Sequence, residues 1–301
     1  MKTRIVQNEP NDPIPGEASG AAASPTADRS EQPVAAPTNA FRAFVRRREL
    51  VIFFVLSYLI AWSGMPFGSF YAFSPLVSAI IVVTIAEGWR GLAQLGRRVI
   101  RWRVNWIWYA AAIVLPLLVH AVAIGLNMAA SAPAPSFAQF QPWYTVLLVF
   151  GLRMVNFTDG PLGEEPAWRG FAQPRLQSRW SPLLSTALMA LLITAWHLPL
   201  VFLPQFDLGM PDIVSTVLVT FWYAWLFNRT GGSVLLPLIA HVTEGCVNTG
   251  GLWPAGADAD RHAWMWMIAW ALLVVPLLIF DRKSWRTAPE SAIDRVPDRI
   301  T

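Results

Sequence analysis

The sequence predicts an all-α, polytopic integral membrane protein with about eight transmembrane helices, and three observations predict it. Of its 301 residues, 54% are hydrophobic and only 14% charged, where ordinary soluble domains carry about a quarter charged residues. The apolar residues gather in segments close to the roughly 20 residues that cross a hydrocarbon core of about 30 Å. Lys and Arg fall in alternate loops between those segments, as the positive-inside bias requires. Twenty-four Pro, many inside apolar stretches, point the same way, since interior Pro breaks helices in water and is tolerated in membrane bundles.

Residues 1–40 are rich in Pro, Ala, Ser and mixed charges with little large and apolar to bury, and are expected to be a disordered tail. No apolar stretch followed by a small-residue cleavage site lies near Met1, so the first spanning helix is expected to remain as a signal anchor. A membrane domain is expected over 41–286, cut into segments 49–65, 69–87, 106–129, 142–163, 182–203, 212–228, 232–250 and 263–281. The fourth is the weakest, because it holds Arg153, Asn156 and Asp159. Residues 287–301 are expected to be a C-terminal cytoplasmic tail. Basic residues precede segment one (Arg42, Arg46, Arg47, Arg48) and lie between two and three (Arg90, Arg97, Arg98, Arg101, Arg103), four and five (Arg169, Arg175, Arg179), six and seven (Arg229), and after eight (Arg282, Lys283, Arg286); the opposite loops hold only Arg261. Both termini are therefore expected in the cytoplasm and the protein in the cell membrane. Between Trp89 and Arg103, apolar and basic residues at helical spacing suit either a short helix on the anionic inner leaflet or a basic loop that sets topology.

The net charge of +4 comes from Arg at segment ends rather than one basic face interleaved with aromatics, which argues against a nucleic-acid partner. A single cysteine, Cys246, excludes an intrachain disulfide and a cysteine-based metal cluster.

Ionisable groups in or beside membrane helices are costly, so each is a candidate functional group. Three runs stand out: Gly163-Glu164-Glu165-Pro166-Ala167-Trp168-Arg169-Gly170, Trp196-His197-Leu198-Pro199, and Ala240-His241-Val242-Thr243-Glu244-Gly245-Cys246-Val247-Asn248. Glu165 and Arg169 are four apart with the acid first, the favourable order for a helical ion pair. His241, Glu244 and Asn248, spaced i, i+3, i+7, are expected on one helical face with Gly245. His120, Asn127 and Glu87 read as structural. A carboxylate within reach of two imidazoles suffices for a general base acting on water and for stabilising an oxyanion. If Arg169 neutralises Glu165, Glu164 is left free as the base. One carboxylate and two imidazoles are also a common zinc set, although no HExxH is present.

The runs 161–182 (PLGEEPAWRGFAQPRLQSRWSP), 194–202 (TAWHLPLVF) and 228–248 (NRTGGSVLLPLIAHVTEGCVN) resemble the CPBP family of intramembrane glutamic endopeptidases, also called the CAAX protease, bacteriocin-processing or ABI family, over about 142–250. The family motifs are EExxxR, then an aromatic four residues before a histidine, then HxxxN, on an eight-helix bundle. The resemblance implies a metal-independent peptidase with no cofactor, acting near the cytoplasmic face on a peptide or protein, in some members a prenylated CAAX protein. It puts the catalytic glutamate on Glu164, the second on Glu165, the arginine on Arg169 and the histidines on His197 and His241; Glu164 and His197 would activate water. Three departures stand out: Ile193 replaces the aromatic, Gly245 replaces the Asn, leaving Asn248 one turn further as a substitute, and Pro166 follows the acidic pair. Proline suits a first helical turn, so Glu165 is a candidate N-cap, with a break near Gly160-Pro161. The alternative reading is a catalytically silent membrane scaffold or immunity protein of the same fold.

On these boundaries His241 lies about 14 Å and His197 about 22 Å from the cytoplasmic ends of their segments, with Glu164 near the surface. They meet only if segment five starts later than Pro182 or if the stretch around Glu164 turns back into the membrane.

Overall fold

The computed structural model describes residues 40–206 and 208–294; the expected disordered tail up to residue 39 and the last seven residues of the C-terminal tail lie outside them, while Ala40 begins a helix. The described residues are helical without a strand. Five stretches are long and apolar enough to cross a membrane: Glu49–Phe67, Trp106–Ala129, Pro182–Phe202, Met210–Arg229 and Ala257–Phe280. They correspond to expected segments one, three, five, six and eight. The other three segments hold shorter helices: α3 (Ser74–Ala86), α6 (Thr145–Val155) and α11 (Leu235–Glu244).

The remaining helices are α1 (Ala40–Arg47), α2 (Glu49–Trp62), α4 (Trp89–Val99), α5 (Trp106–Ala129), α7 (Gly160–Ala167), α8 (Gln173–Gln177), α9 (Pro182–His197), α10 (Met210–Arg229), α12 (Ala257–Phe280) and α13 (Arg282–Arg286). The basic stretch after Trp89 is helical: α4 buries Gly91, Leu95 and Arg98 and leaves Trp89, Arg90 and Arg97 exposed.

Segment four is two helices. α6 stops at Val155 with Asn156 extended, and Asp159 restarts the chain as N-cap, its Oδ1 accepting from the Gly160 N–H at 2.9 Å. Pro161 occupies the first turn of α7, where a missing N–H costs nothing. Glu165 is therefore not an N-cap, as the position of Pro166 suggests from sequence; Pro166 lies inside the helix.

α7 passes through a π-turn, Trp168–Ala172, into α8. Pro174 has no N–H for the carbonyl of Gly170, four residues back. The Arg98 guanidinium donates to that carbonyl instead, at 2.9 Å, which is how an irregular turn is tolerated away from water.

Every residue from Gly163 to Gln177 is buried, so this rod is central although it carries Glu164, Glu165, Arg169, Gln173, Arg175 and Gln177. Residues four apart line one face of it and bond down α10. Arg169 Nη2 donates to the Thr220 carbonyl (3.4 Å), Gln173 Nε2 to the Ala224 carbonyl (3.3 Å), and Gln177 exchanges amide bonds with Asn228 at 3.0 and 2.9 Å.

Two apolar clusters flank the rod. One joins α2, α3, the π-turn and α9 around Phe53, Trp168, Phe171 and Trp196. The other joins α5, α10, α11 and α12 around Trp222, Leu226, Leu236 and Trp270. At one end of the rod Arg175 bonds Glu49, Glu87 and Asp294, and Arg98 bonds Asp294. The start of α2 and residue 294 thus meet on one face of the protein.

Candidate active site

The depth conflict disappears because Glu164 belongs to the rod rather than to a surface end of segment four. It lies about 20 Å before Gln177 at 1.5 Å per residue, comparable with His197, the last residue of α9. The segment around the acids starts inside the bundle, the second of the two solutions open from sequence, and α9 does begin at Pro182. The acids consequently lie far from the arginine-rich end of the rod, not close to it.

Glu164, Glu165, Arg169, His197 and His241 line one cavity of about 290 Å³. It opens between the two apolar clusters, with Ile193 on one side and Tyr223 and Trp266 on the other. Leu198, Leu200, Val201 and Phe206, after the end of α9, form an apolar wall.

Glu165 is fully buried. Its Oε1 accepts from Arg169 Nη1 at 3.3 Å and from His241 Nδ1 at 3.0 Å, so the ion pair expected from the spacing forms and also holds an imidazole. Both its neighbours are fixed in turn: the Arg169 guanidinium lies 5.2 Å from the Tyr223 ring, and the His241 ring stacks on Tyr223 at 5.2 Å.

Glu164 differs from it. Its Oε2 accepts from the Trp168 indole N–H at 3.2 Å, and no cation pairs with it among the described residues. A Cβ on Gly160 would lie 2.7 Å from Glu164 Oε1 and 3.9 Å from His241 Nε2. The free carboxylate oxygen and the outer nitrogen of His241 therefore converge over a glycine.

His197 Nδ1 lies 2.9 Å from the carbonyl of Ile193. A carbonyl can only accept, so Nδ1 carries the proton and the neutral ring keeps a lone pair on Nε2. Ile193, which stands where the resemblance expects an aromatic, thus meets the imidazole through its backbone carbonyl and also lines the cavity.

Asn248 does not share the His241 face. α11 ends at Glu244 with Gly245 as C-cap, and Asn248 lies beyond it, exposed, paired with Gln139 through its backbone N–H (2.9 Å) and carbonyl (3.0 Å). The spacing i, i+7 places residues on one face only while the helix continues. Glu244 stays in the cavity wall, its Oε2 accepting from the Tyr223 hydroxyl at 2.8 Å. Tyr223 is the member of the site that sequence reasoning missed. Its signal is weak, an aromatic three residues after Thr220 on the α10 face that meets the rod. His120 Nε2 meets the Glu244 carbonyl at 2.9 Å behind this wall, and Glu87 serves the Arg175 cluster.

Among the described residues no group of three or more His, Cys, Asp or Glu is placed to hold a metal ion. A two-imidazole site with Glu164 would also require His241 to ligate through Nε2, since Nδ1 is engaged by Glu165.

No curated protein matches the chain. Residues 143–247, spanning α6 to α11 and every cavity group described above except those on the flanking helices, match the family model described as type II CAAX prenyl endopeptidase Rce1-like.

Proposed function

We propose that the protein is an intramembrane endopeptidase of the CAAX type in which Glu164 activates water, with no metal or other cofactor. The observation that carries this reading is the single cavity shared by Glu164, Glu165, Arg169, His197 and His241. Water held between the Glu164 carboxylate and His197 Nε2 gives its proton to Glu164 as its oxygen attacks the scissile carbonyl. His241, with Glu165 behind Nδ1 to balance positive charge on the ring, faces the oxygen that becomes anionic. Proton return from Glu164 to the departing amine completes hydrolysis. Asn248, paired with Gln139 beyond the end of α11, has no part in this scheme.

The family match supports a peptide or protein substrate, and the apolar wall of Leu198, Leu200, Val201 and Phe206 suits a lipidated one. The bundle spans the bilayer with the face bearing Glu49 and Asp294 in the cytoplasm, and the eight-segment division, short helices included, is the topology that goes with it. The cavity then lies well inside the bilayer from that face, so the substrate's scissile bond must enter the bundle.

The test is purified protein in liposomes with a quenched fluorescent, farnesylated CAAX peptide. Wild type is expected to cleave it, with and without a chelator, and Glu164→Gln to be silent at an unchanged thermal midpoint. A silent wild type, or a Glu164→Gln variant that cleaves normally, overturns the proposal.

A further inference from the structure

Gly245 has φ −75° and ψ −2°, a backbone conformation open to every residue, so its glycine is not explained by its backbone. It is explained by what lies over it. A Cβ built there would collide with the guanidinium of Arg153, lying 2.8 Å from Cζ and 3.1 Å from Nε. Arg153 comes from the last turn of α6. Its Nη1 pairs with Asp159 Oδ2 at 3.2 Å, and the other oxygen of Asp159 caps α7, the helix that carries Glu164 and Glu165. Its Nε is buried and has no partner. One cation thus touches the end of the His241 helix and the start of the glutamate helix at once.

We infer that Arg153 is a positioning residue of the active site: it replaces a side chain at position 245, fixes the His241 end of α11 against the N-terminus of α7, and supplies fixed positive charge behind the wall formed by His241 and Glu244. This rests on the peptidase reading. A polar residue in an otherwise apolar, peripheral helix that buries no residue of its own is accounted for by this role, since desolvating an arginine there costs energy that α6 packing alone does not return. A misplacement of about 1 Å between base and imidazole costs on the order of 10²-fold in rate, so the effect falls on kcat rather than on KM.

Arg153→Met keeps much of the bulk over Gly245 and removes the charge and the donors. It is expected to lower kcat about 10²-fold on the farnesylated peptide, with KM and thermal midpoint near wild type, and Arg153→Lys to recover part of the loss. Gly245→Ala is expected to lower both kcat and thermal midpoint in the wild-type background and to do neither in the Arg153→Ala background, because the collision is then gone. Arg153→Met with wild-type kcat overturns the inference, as does a loss of kcat that merely follows the midpoint down. Additive midpoint changes for Gly245→Ala and Arg153→Ala overturn it as well, and they are read without any turnover. Cleavage by wild type that Glu164→Gln abolishes but Arg153→Met leaves intact removes this inference alone; a silent wild type removes the peptidase reading, and the role of Arg153 in it.

Discussion

Two adjacent glutamates, to which the proposed mechanism gives different duties, are set apart by their neighbours. Glu165 is held between Arg169 and His241, while Glu164 accepts from an indole N–H, faces the cavity and has no cation paired with it among the described residues. Their substitutions should part accordingly. Glu165→Gln leaves the buried Arg169 without its counter-charge, a change worth about 3–5 kcal/mol, so its thermal midpoint should fall sharply along with activity. Glu164→Gln should leave the midpoint within a degree or so and lower kcat about 10²–10⁴-fold, the usual contribution of a general base. Equal loss of stability in both would mean that Glu164 is structural too. Gly160 offers a finer test. Gly160→Ala suits the first turn of a helix, yet its Cβ would lie 2.7 Å from Glu164 Oε1 and must push the carboxylate aside. Activity is expected to drop by about 10²-fold in a protein that unfolds no earlier than wild type; a fully active Gly160→Ala variant would show that this oxygen does not need its place. The motif residues were legible because chemistry restricts them to few residue types. Asn248 was not, because its assignment depended on the helix continuing past Glu244, whereas Gly245, a residue type common at helix ends, caps α11 there.

At the scale of elements, the central rod shows how polar residues are kept inside an apolar bundle. Glu165, Arg169, Gln173 and Gln177 recur every fourth residue, and each finds a partner, three of them on α10. This ladder was present in the sequence as a period of four, but periodicity cannot say which neighbouring helix answers it. Asn228→Leu tests it. The reciprocal amide pair with Gln177 is lost while Gln177 keeps its bonds to Gln173 and Ala292, so the expected cost is that of the lost hydrogen bonds, about 0.5–1.5 kcal/mol each. A lowered thermal midpoint with unaltered kcat for the folded fraction is expected, since Asn228 lies at the opposite end of the rod from Glu164; an unchanged midpoint would mean that the amide pair contributes nothing net. The same scale explains the division of segment four. Hydropathy alone joins 142–163 into one span, whereas Asp159 as a cap and Pro161 in the first turn start a new helix within it. Five long helices were visible as apolar runs because length and composition suffice for them. The short ones, α3, α6 and α11, take their lengths from caps and turns that hydropathy does not register.

At the scale of the whole molecule, the cavity lies on the seam between two apolar clusters, and its two halves depend on separate packing units. The Glu164 side is anchored through the rod to Trp168 and Phe171, the His241 side through α11 to Trp222 and Leu236. The chain after α13 ties these units together. Ala292 is buried against Phe227 and Val234, its carbonyl accepts from Gln177 Nε2 at 3.0 Å, and Asp294 pairs with both Arg98 and Arg175. Burial pushes the Arg175 guanidinium down, but Asp294, Glu49 and Glu87 outweigh it and hold the group above its usual range, so it stays charged throughout. Gly232, at φ 86°, passes so close to this segment that a Cβ there would lie 2.7 Å from the Ser291 carbonyl. None of this was foreseen from sequence, where 287–301 looks like a tail, since a short polar segment reveals its partners only when two buried arginines need them. Removing residues 287–301 should therefore lower the thermal midpoint, because Arg98 loses the one acidic partner it has among the described residues, Arg175 keeps two of three, and the Gln177 amide loses an acceptor. Each buried group left short costs about 1–3 kcal/mol. Asp294→Asn should produce part of the same fall, and Gly232→Ala another part by displacing Ser291. A truncated protein as stable as wild type would mean that the two halves of the bundle hold their register without this segment, and the seam that carries the cavity would then owe its geometry to the α10 ladder and the Glu165–His241 bond.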